Sequence, residues 1–599
     1  MPTLLLLLAA CGSPETPPAY CAGPTTQLWD PADPELLQFP DDALAVADPG
    51  SPTGLRPALE DHPWMAALPP VLAPFPAGLD ERSGFGRLGA IFLRFDGKLG
   101  ALADGDVRLV ALDTGADHPF EAFVEDRGEQ LRVQPLEPLR PATRYALVLS
   151  AQHVAEDGGC VAPAEGLQGA LAGGGDDPWL AERYGAVAEA LGVEPADLSA
   201  ATVFTTHDDV AAIHAVASSL AAQTCTWAGP ASCSSWRDGQ RCARSFEAWD
   251  HRGALIDPDP AQRWTLDVSI YLPPGVEGPA PVAIYGHGIN SSRGEAEALA
   301  RRVFPLGMAV VSVDALEHGS HPTNDDDDLD AAAFLGIDLS TVSLDGRALA
   351  QNFLQTDLDR LQLLTLLQQD PDLDGDGAAD IDPERIAYVG VSLGGLLGPG
   401  LVAMSDEVDL AALPVGGGHL ATFASTSSFG AAFEALFVEL LGDEAAWQRV
   451  LAVGQAAMDP ADPAVWAAHV LDDRLGERAG GPHLLLPVSV FDEVVPPETG
   501  IALARALRLP HVEPVIEPVA LLTPTGPAPV SANLDGVTAG FFQYDRVTDG
   551  EAVVASEHGN TPYGTEGELQ LLTFLETWLE GGAPVIIDPY AELGTPPLE

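Results

Sequence analysis

Lysine is almost absent from this chain. Lys98 is the only one in 599 residues, and 28 basic side chains face 88 acidic ones for a formal charge of −60. A surface of that sign repels phosphate backbones and argues against nucleic acid as a partner; it equally disfavours docking onto anionic lipid. The acidity fits a saline habitat, where screening removes the self-repulsion, and fits as well a coding bias toward Arg and Ala. Cysteine is scarce at six residues, and none sits in a C-x-x-C pair, so a metal-binding framework has little support. After the first dozen residues no apolar run is long enough to span a bilayer. The length implies two or three domains.

The opening residues, Met-Pro-Thr followed by five leucines and then Ala-Ala-Cys11, have the look of a bacterial lipoprotein signal, with Leu8-Ala9-Ala10-Cys11 as lipobox. That pattern predicts cleavage before Cys11, lipidation of its sulfur and membrane anchoring through the lipid. Gly12 after the cysteine suggests the outer membrane; an ordinary secretory signal with an incidental cysteine is the alternative. Both place the protein in the cell envelope or outside it. There Cys21, Cys160, Cys225, Cys233 and Cys242 are expected to form disulfides, with one left over.

Residues 12–80, rich in Pro, Asp and Gly, read as a tether followed by an extended segment. Short alternating apolar runs at Leu88–Phe95, Val107–Leu112, Leu131–Leu136 and Tyr145–Ser150 predict a small β-sandwich with an Ig-like look over 81–222, with a helical extension after 176. The cysteine-bearing stretch 223–260 reads as a connector. Over 261–599 strands alternate with helical patterns, which predicts an α/β domain with a mostly parallel sheet. Residues 420–475 form a helical insertion, expected either as a cap over a pocket or as plain core helices.

The chemistry concentrates in that last region. An apolar strand runs into Gly390-Val391-Ser392-Leu393-Gly394, the G-x-S-x-G nucleophile elbow in its strand-then-helix context. The turn is tight, so the residues two before and two after the serine must be small. The next backbone N–H, that of Leu393, then points to where an oxyanion would form. A second donor is expected from Ile289, in the turn Gly286-His287-Gly288-Ile289-Asn290 after another strand. His287 itself reads as a packing residue. A base must follow the serine, and His419, His469, His483, His511 and His558 all do. His558, between the short strand Ala552–Ala555 and an amphipathic helix over 566–580, fits best, with His419 as rival. The acid is Asp492, just past the strand Leu484–Val490, with Glu493 as runner-up. Asp314 and His318 are expected to support the oxyanion turn, and Pro399 to kink or shorten the elbow helix.

Three stretches together, Tyr285 to Ser292, Val310 to Gly319 and the elbow, resemble bacterial extracellular lipases of the virulence-factor type, a family that includes surface lysophospholipase lipoproteins. Phe39-Pro40-Asp41-Asp42 and Phe95-Asp96-Gly97 are similar to its N-terminal region. The resemblance implies an α/β-hydrolase that cleaves esters through Ser392, Asp492 and His558, on an ester or lipid substrate and with no cofactor required. Val391 departs from the histidine common in that family before the serine. The alternatives are a non-catalytic surface lipoprotein that binds envelope partners, and an acyltransferase or polyester hydrolase. Separately, Asp372, Asp374, Asp376 and Asp380 occupy positions 1, 3, 5 and 9 of a loop with Gly377 at 6, a spacing that can wrap a structural Ca²⁺, although Pro383 replaces the usual twelfth ligand.

Overall fold

A computed structural model describes residues 20–598 except 22, 176, 277, 325–329 and 479. Cys11 and the lipobox lie outside the described residues.

The C-terminal region is built on a nine-stranded sheet. In chain order its strands are β1 (Ser232–Trp236), β2 (Gly239–Trp249), β3 (Arg263–Leu272), β4 (Ala280–Gly286), β5 (Ala309–Val313), β6 (Ile381–Gly390), β7 (Leu410–Ala412), β8 (His483–Ser489) and β9 (Ala539–Tyr544). Their order across the sheet is β1-β2-β3-β5-β4-β6-β7-β8-β9. From β5 to β9 every pairing is parallel, whereas β1, β2 and β3 run antiparallel to their neighbours. Ile284 sits opposite Val311 on one side and Tyr388 on the other. Parallel strands need crossovers, and the crossovers cover both faces. Ala283, Tyr285, Val389, Leu485 and Phe542 pack under the helices Ala296–Val303 and Thr565–Leu579. The alternate residues Val282, Ile284, Tyr388, Leu484 and Phe541 face the other core, with the helices Gly346–Gln369 and Leu393–Met404. The region is of the α/β class, and six parallel strands bring their carboxyl ends to one rim.

Three expectations need correction here. Residues 223–260 are not a connector. They contain β1 and β2, and the disulfide Cys233–Cys242 joins residues directly opposite on those two strands. Buried Cys242, Phe246 and Ala248 show that the stretch carries a half-buried strand pattern. Residues 12–80 are more than a tether. Gln38–Phe39 is a strand, and Phe39, Trp64, Leu72 and Phe75 are all buried. Asp42 is held by the Arg183 guanidinium at 2.8 Å and by the Thr205 amide at 2.8 Å. Asp41 accepts from the Tyr184 hydroxyl and from Thr202 at 3.0 Å, and burial pushes its carboxyl up to about 6. Finally, Pro399 does not shorten the elbow helix, which continues through it to Met404. Every residue of that helix is buried, and packing on all sides outweighs the one lost backbone hydrogen bond.

The N-terminal region holds two four-stranded antiparallel sheets. One contains Gln38–Phe39, Ile91–Arg94, Gln130–Pro135 and Phe120–Glu125; the other contains Leu198–Thr205, Arg144–Ser150, Val107–Ala111 and Ala116–Asp117. Ala146, Val148, Ala201 and Val203 turn outward onto the helix Pro178–Leu191. Leu147, Leu149 and Phe204 turn inward to a cluster shared with Leu131 and Val133 and continuous with the C-terminal core. This region also braces the helical insertion. The Arg87 amide and His207 Nε2 both meet the buried carboxylate of Asp459, and Arg449 donates to Gln130 at 2.9 Å. The disulfide Cys21–Cys160 closes the N-terminal region, and Cys225 is a free thiol.

Candidate active site

Ser392 stands at the end of β6 with φ 57° and ψ −117°, a backbone conformation that costs a side-chain-bearing residue about 1–3 kcal/mol. The turn closes only because its flanks are glycine. A Cβ on Gly390 would lie 2.2 Å from the Gly394 carbonyl oxygen, and one on Gly394 would lie 2.2 Å from that of Gly286. The Ser392 amide is taken up by the Pro414 carbonyl at 3.1 Å, and the Gly394 amide by Val391 and His287. Leu393 is the first residue of the helix, where backbone N–H groups have no intrahelical acceptor. Its amide has no acceptor among the described residues.

The structure brings Ser392, His558 and Asp492 together although 166 positions separate the first two and 66 the last two. Nε2 of His558 lies 2.8 Å from Ser392 Oγ, and Nδ1 lies 2.8 and 2.9 Å from the two Asp492 oxygens. Asp492 Oδ1 also accepts the amides of Val494 at 2.9 Å and Val495 at 2.7 Å. The carboxylate thus takes three N–H donors, the His558 Nδ1–H being shared between its two oxygens, and the group is 5% exposed. His558 arrives by a route different from the expected one. Among the described residues the strand Ala552–Ala555 pairs only with Arg546–Asp549, in a hairpin, and the last strand of the large sheet is β9. The hairpin reaches out from the rim and returns the histidine over the elbow.

The turn after β4 is fixed from several sides. Ala315 donates its amide to His287 Nε2 at 2.9 Å, so the proton sits on Nδ1, which donates to the Gly288 carbonyl at 2.9 Å. Burial, with the neighbouring His318 ring, pushes the His287 imidazole down to about 3, and it stays neutral. His318 Nε2 lies 2.6 Å from the Ile289 carbonyl oxygen. Asp314 accepts from the backbone of Arg293 at 2.6 Å and of Ser320 at 2.9 Å, and pairs with the Arg293 guanidinium. The Ile289 amide, like that of Leu393, has no acceptor among the described residues. A Cβ on Gly288 would stand 3.7 Å from the Ser392 Cβ, so this turn lies against the nucleophile.

The rivals fall elsewhere. His419 is buried against the N-terminal sheet, its Nε2 3.4 Å from Gln134, and Glu493 is exposed. Sequence reasoning missed Glu295, whose Oε2 accepts the Gly288 amide at 2.8 Å and whose Oε1 accepts the Tyr563 hydroxyl at 2.7 Å. No motif marks it, since its partners are 7 and 268 positions away. The acidic loop lies at the amino end of β6, the rim opposite Ser392. Ligand oxygens of Asp372, Asp374 and Asp376 come within 4.8 Å of one another. Each of the three also accepts loop amides, and Asp380 lies outside the cluster, accepting the amides of Leu373 and Asp374 at 2.7 and 2.9 Å.

No protein-family model matches the chain, and the comparison with curated proteins finds no match. Among solved structures the chain is similar to an acetyl xylan esterase from a Paenibacillus species, at 15% identity over 61% of this chain and 94% of the other, with a TM-score of 0.40. It is also similar to acetyl xylan esterase 1 of a Thermoanaerobacterium species, at 16% identity over 50% and 84% with a TM-score of 0.35. An acylaminoacyl peptidase of Pyrococcus horikoshii gives 16% identity, 53% and 39%, and a TM-score of 0.31. With scores this low, nothing about the chemistry of this chain follows from them.

Proposed function

We propose that the chain is a serine carboxylic-ester hydrolase of the α/β-hydrolase type, with Ser392, His558 and Asp492 as its triad. The observation that carries this is the hydrogen-bonded line from Ser392 Oγ through both His558 nitrogens to Asp492, at 2.8 Å on each side of the ring. In the reaction Ser392 Oγ bonds to the ester carbonyl carbon while its proton passes to His558 Nε2. Asp492 holds the Nδ1–H tautomer and stabilises the imidazolium without taking the proton. The carbonyl oxygen gains the negative charge, and the Leu393 and Ile289 amides receive it. His558 then protonates the departing alkoxide as the C–O bond breaks. Water, deprotonated by the same nitrogen, cleaves the acyl-enzyme and releases the acid.

An apolar recess supports an aliphatic acyl group. Leu335, Ile337, Phe423, Phe429, Phe433 and Trp447 line it, between the helical insertion and the segment after residue 330. Residues adjoining its lining reach the loop after Asp492 and the histidine that holds the oxyanion turn. Ser428, beside Phe429, donates to the Glu493 carbonyl at 2.7 Å, and Phe334, beside Leu335, packs edge-on to His318 at 5.3 Å. Each methylene that enters such a site contributes roughly 0.8 kcal/mol. In a p-nitrophenyl ester series kcat/KM should therefore climb about two- to fourfold per methylene from acetate toward octanoate. Phe433→Trp should remove the gain for the longer chains and spare acetate. A flat series in the wild type would sink the acyl-site assignment.

The two disulfides support an oxidising compartment, and with it a cell-envelope protein tethered by lipid at Cys11 or a secreted one. The hard oxygens of Asp372, Asp374 and Asp376 suit Ca²⁺, which would pin the loop ahead of β6 and take no part in the reaction. EDTA should then lower Tm by a few degrees, with Ca²⁺ restoring it, because a ligand at 100 times its Kd stabilises by about 2.7 kcal/mol. A Tm unmoved by either addition would leave the loop as a plain acidic turn.

A further inference from the structure

We propose that Glu295 is a positioning residue of this site, a single carboxylate that locks the oxyanion turn to the loop carrying the histidine; this rests on the ester-hydrolase reading above. Glu295 ends the short turn Arg293–Glu295, which Ser292 caps, immediately before the helix Ala296–Val303. Its two oxygens serve two different loops. Oε2 accepts the Gly288 amide at 2.8 Å, and Oε1 accepts the hydroxyl of Tyr563, five residues beyond His558, at 2.7 Å. The hypothetical Cβ of Gly288 lies 3.7 Å from Glu295 Oε2 and 3.7 Å from the Ser392 Cβ, so carboxylate and nucleophile flank the same glycine.

Around the Ile289 amide the remaining backbone groups are already committed. The Gly288 carbonyl takes the Ser291 amide at 3.1 Å and His287 Nδ1 at 2.9 Å, and the Ile289 carbonyl faces His318 Nε2 at 2.6 Å. The Glu295 bond to Gly288 N–H completes the set. It prevents that N–H from competing for the substrate oxygen and fixes the His287–Gly288 peptide, the one next to the peptide that carries the Ile289 N–H. Burial first, then the Glu295 charge, pushes the Tyr285 and Tyr563 hydroxyls up, so both stay protonated and Tyr563 remains a donor. An anion so close to the developing oxyanion opposes it electrostatically. A purely electrostatic role would therefore make the neutral Gln faster than wild type and Ala no slower, whereas a geometric clamp makes Ala slow and leaves Gln able to accept from Gly288 and donate to Tyr563.

The test compares wild type, Glu295→Gln, Glu295→Ala and Tyr563→Phe in p-nitrophenyl acetate hydrolysis and in affinity for a benzeneboronic acid, whose serine adduct is tetrahedral. Glu295→Ala should lower kcat by about ten- to a hundredfold, short of the 10²–10³ typical of losing an oxyanion donor outright. KM should move less than about threefold and boronate affinity should fall with kcat, whereas Glu295→Gln stays within about threefold of wild type. Equal kcat and boronate affinity in Glu295→Ala and wild type overturns the clamp, and so does an equal loss in Ala and Gln. If Glu295→Ala fails to fold, Tyr563→Phe decides, since it removes one limb only. A several-fold loss of kcat and boronate affinity supports the clamp, and no loss overturns it. Activity that survives Ser392→Ala would instead remove the ester-hydrolase reading, a result independent of any Glu295 variant.

Discussion

Ser392→Ala should abolish turnover of p-nitrophenyl esters, with kcat falling by roughly 10⁵–10⁶-fold and the fold left intact. The size of the loss follows from what remains. With Oγ gone, His558 Nε2 has only water to deprotonate, and the acyl-enzyme route closes. The two unpaired amides and the acyl recess survive, and in serine hydrolases such remnants still give about 10³–10⁴ over the uncatalysed rate. Stability should barely change. Ser392 is the N-cap of the elbow helix but makes no side-chain capping bond, so alanine removes no cap. The strained φ of 57° persists in alanine, which neither relieves nor adds to it. A Tm within about two degrees of wild type alongside lost activity separates chemistry from folding. Equal rates in wild type and variant would mean that Ser392 is not the nucleophile.

The parts of the site that sequence exposes are those where local sterics dictate residue type. Gly390 and Gly394 are readable because no Cβ fits at either position, and Asp492 because it follows a buried strand whose end is marked by a polar residue and prolines. The parallel sheet is readable because a chain buried on both faces carries continuous apolar strands alternating with helical stripes. Long-range contacts leave no such trace. β9, Ala-Gly-Phe-Phe-Gln-Tyr, follows about thirty residues of irregular chain, and a short apolar run in that setting has no period to identify it. The cysteines of β1 and β2 obscure those strands, reading as a stapled loop although they pair across the two strands. Glu295 and Tyr563 meet only through the tertiary fold. The Phe39 to Asp42 motif is visible in sequence as a similarity, but its physical content, two buried carboxylates that bind the leading segment to the N-terminal sheet and helix, lies in tertiary contacts.

Asp492→Asn is the sharper test, because it keeps the shape of the site and changes one proton. In the wild type Asp492 Oδ1 accepts from Val494 and Val495, and both carboxylate oxygens face His558 Nδ1–H. An asparagine must place its carbonyl oxygen toward the two backbone amides, since its NH₂ can only donate and would leave both of them unpaired. A buried amide without a partner costs about 1–3 kcal/mol, enough to decide the flip. The NH₂ then points at His558 Nδ1 and compels that nitrogen to accept. The ring proton moves to Nε2, which now donates toward Ser392 Oγ instead of receiving from it. The nucleophile loses its base while the heavy atoms hardly move. The expected loss is about 10³–10⁴ in kcat, with KM and Tm close to wild type. Asp492→Ala, which lacks the misplaced donor, should lose no more than Asn despite removing more atoms. An Asn variant retaining more than about a tenth of wild-type kcat would show that Asp492 does not set the tautomer of His558.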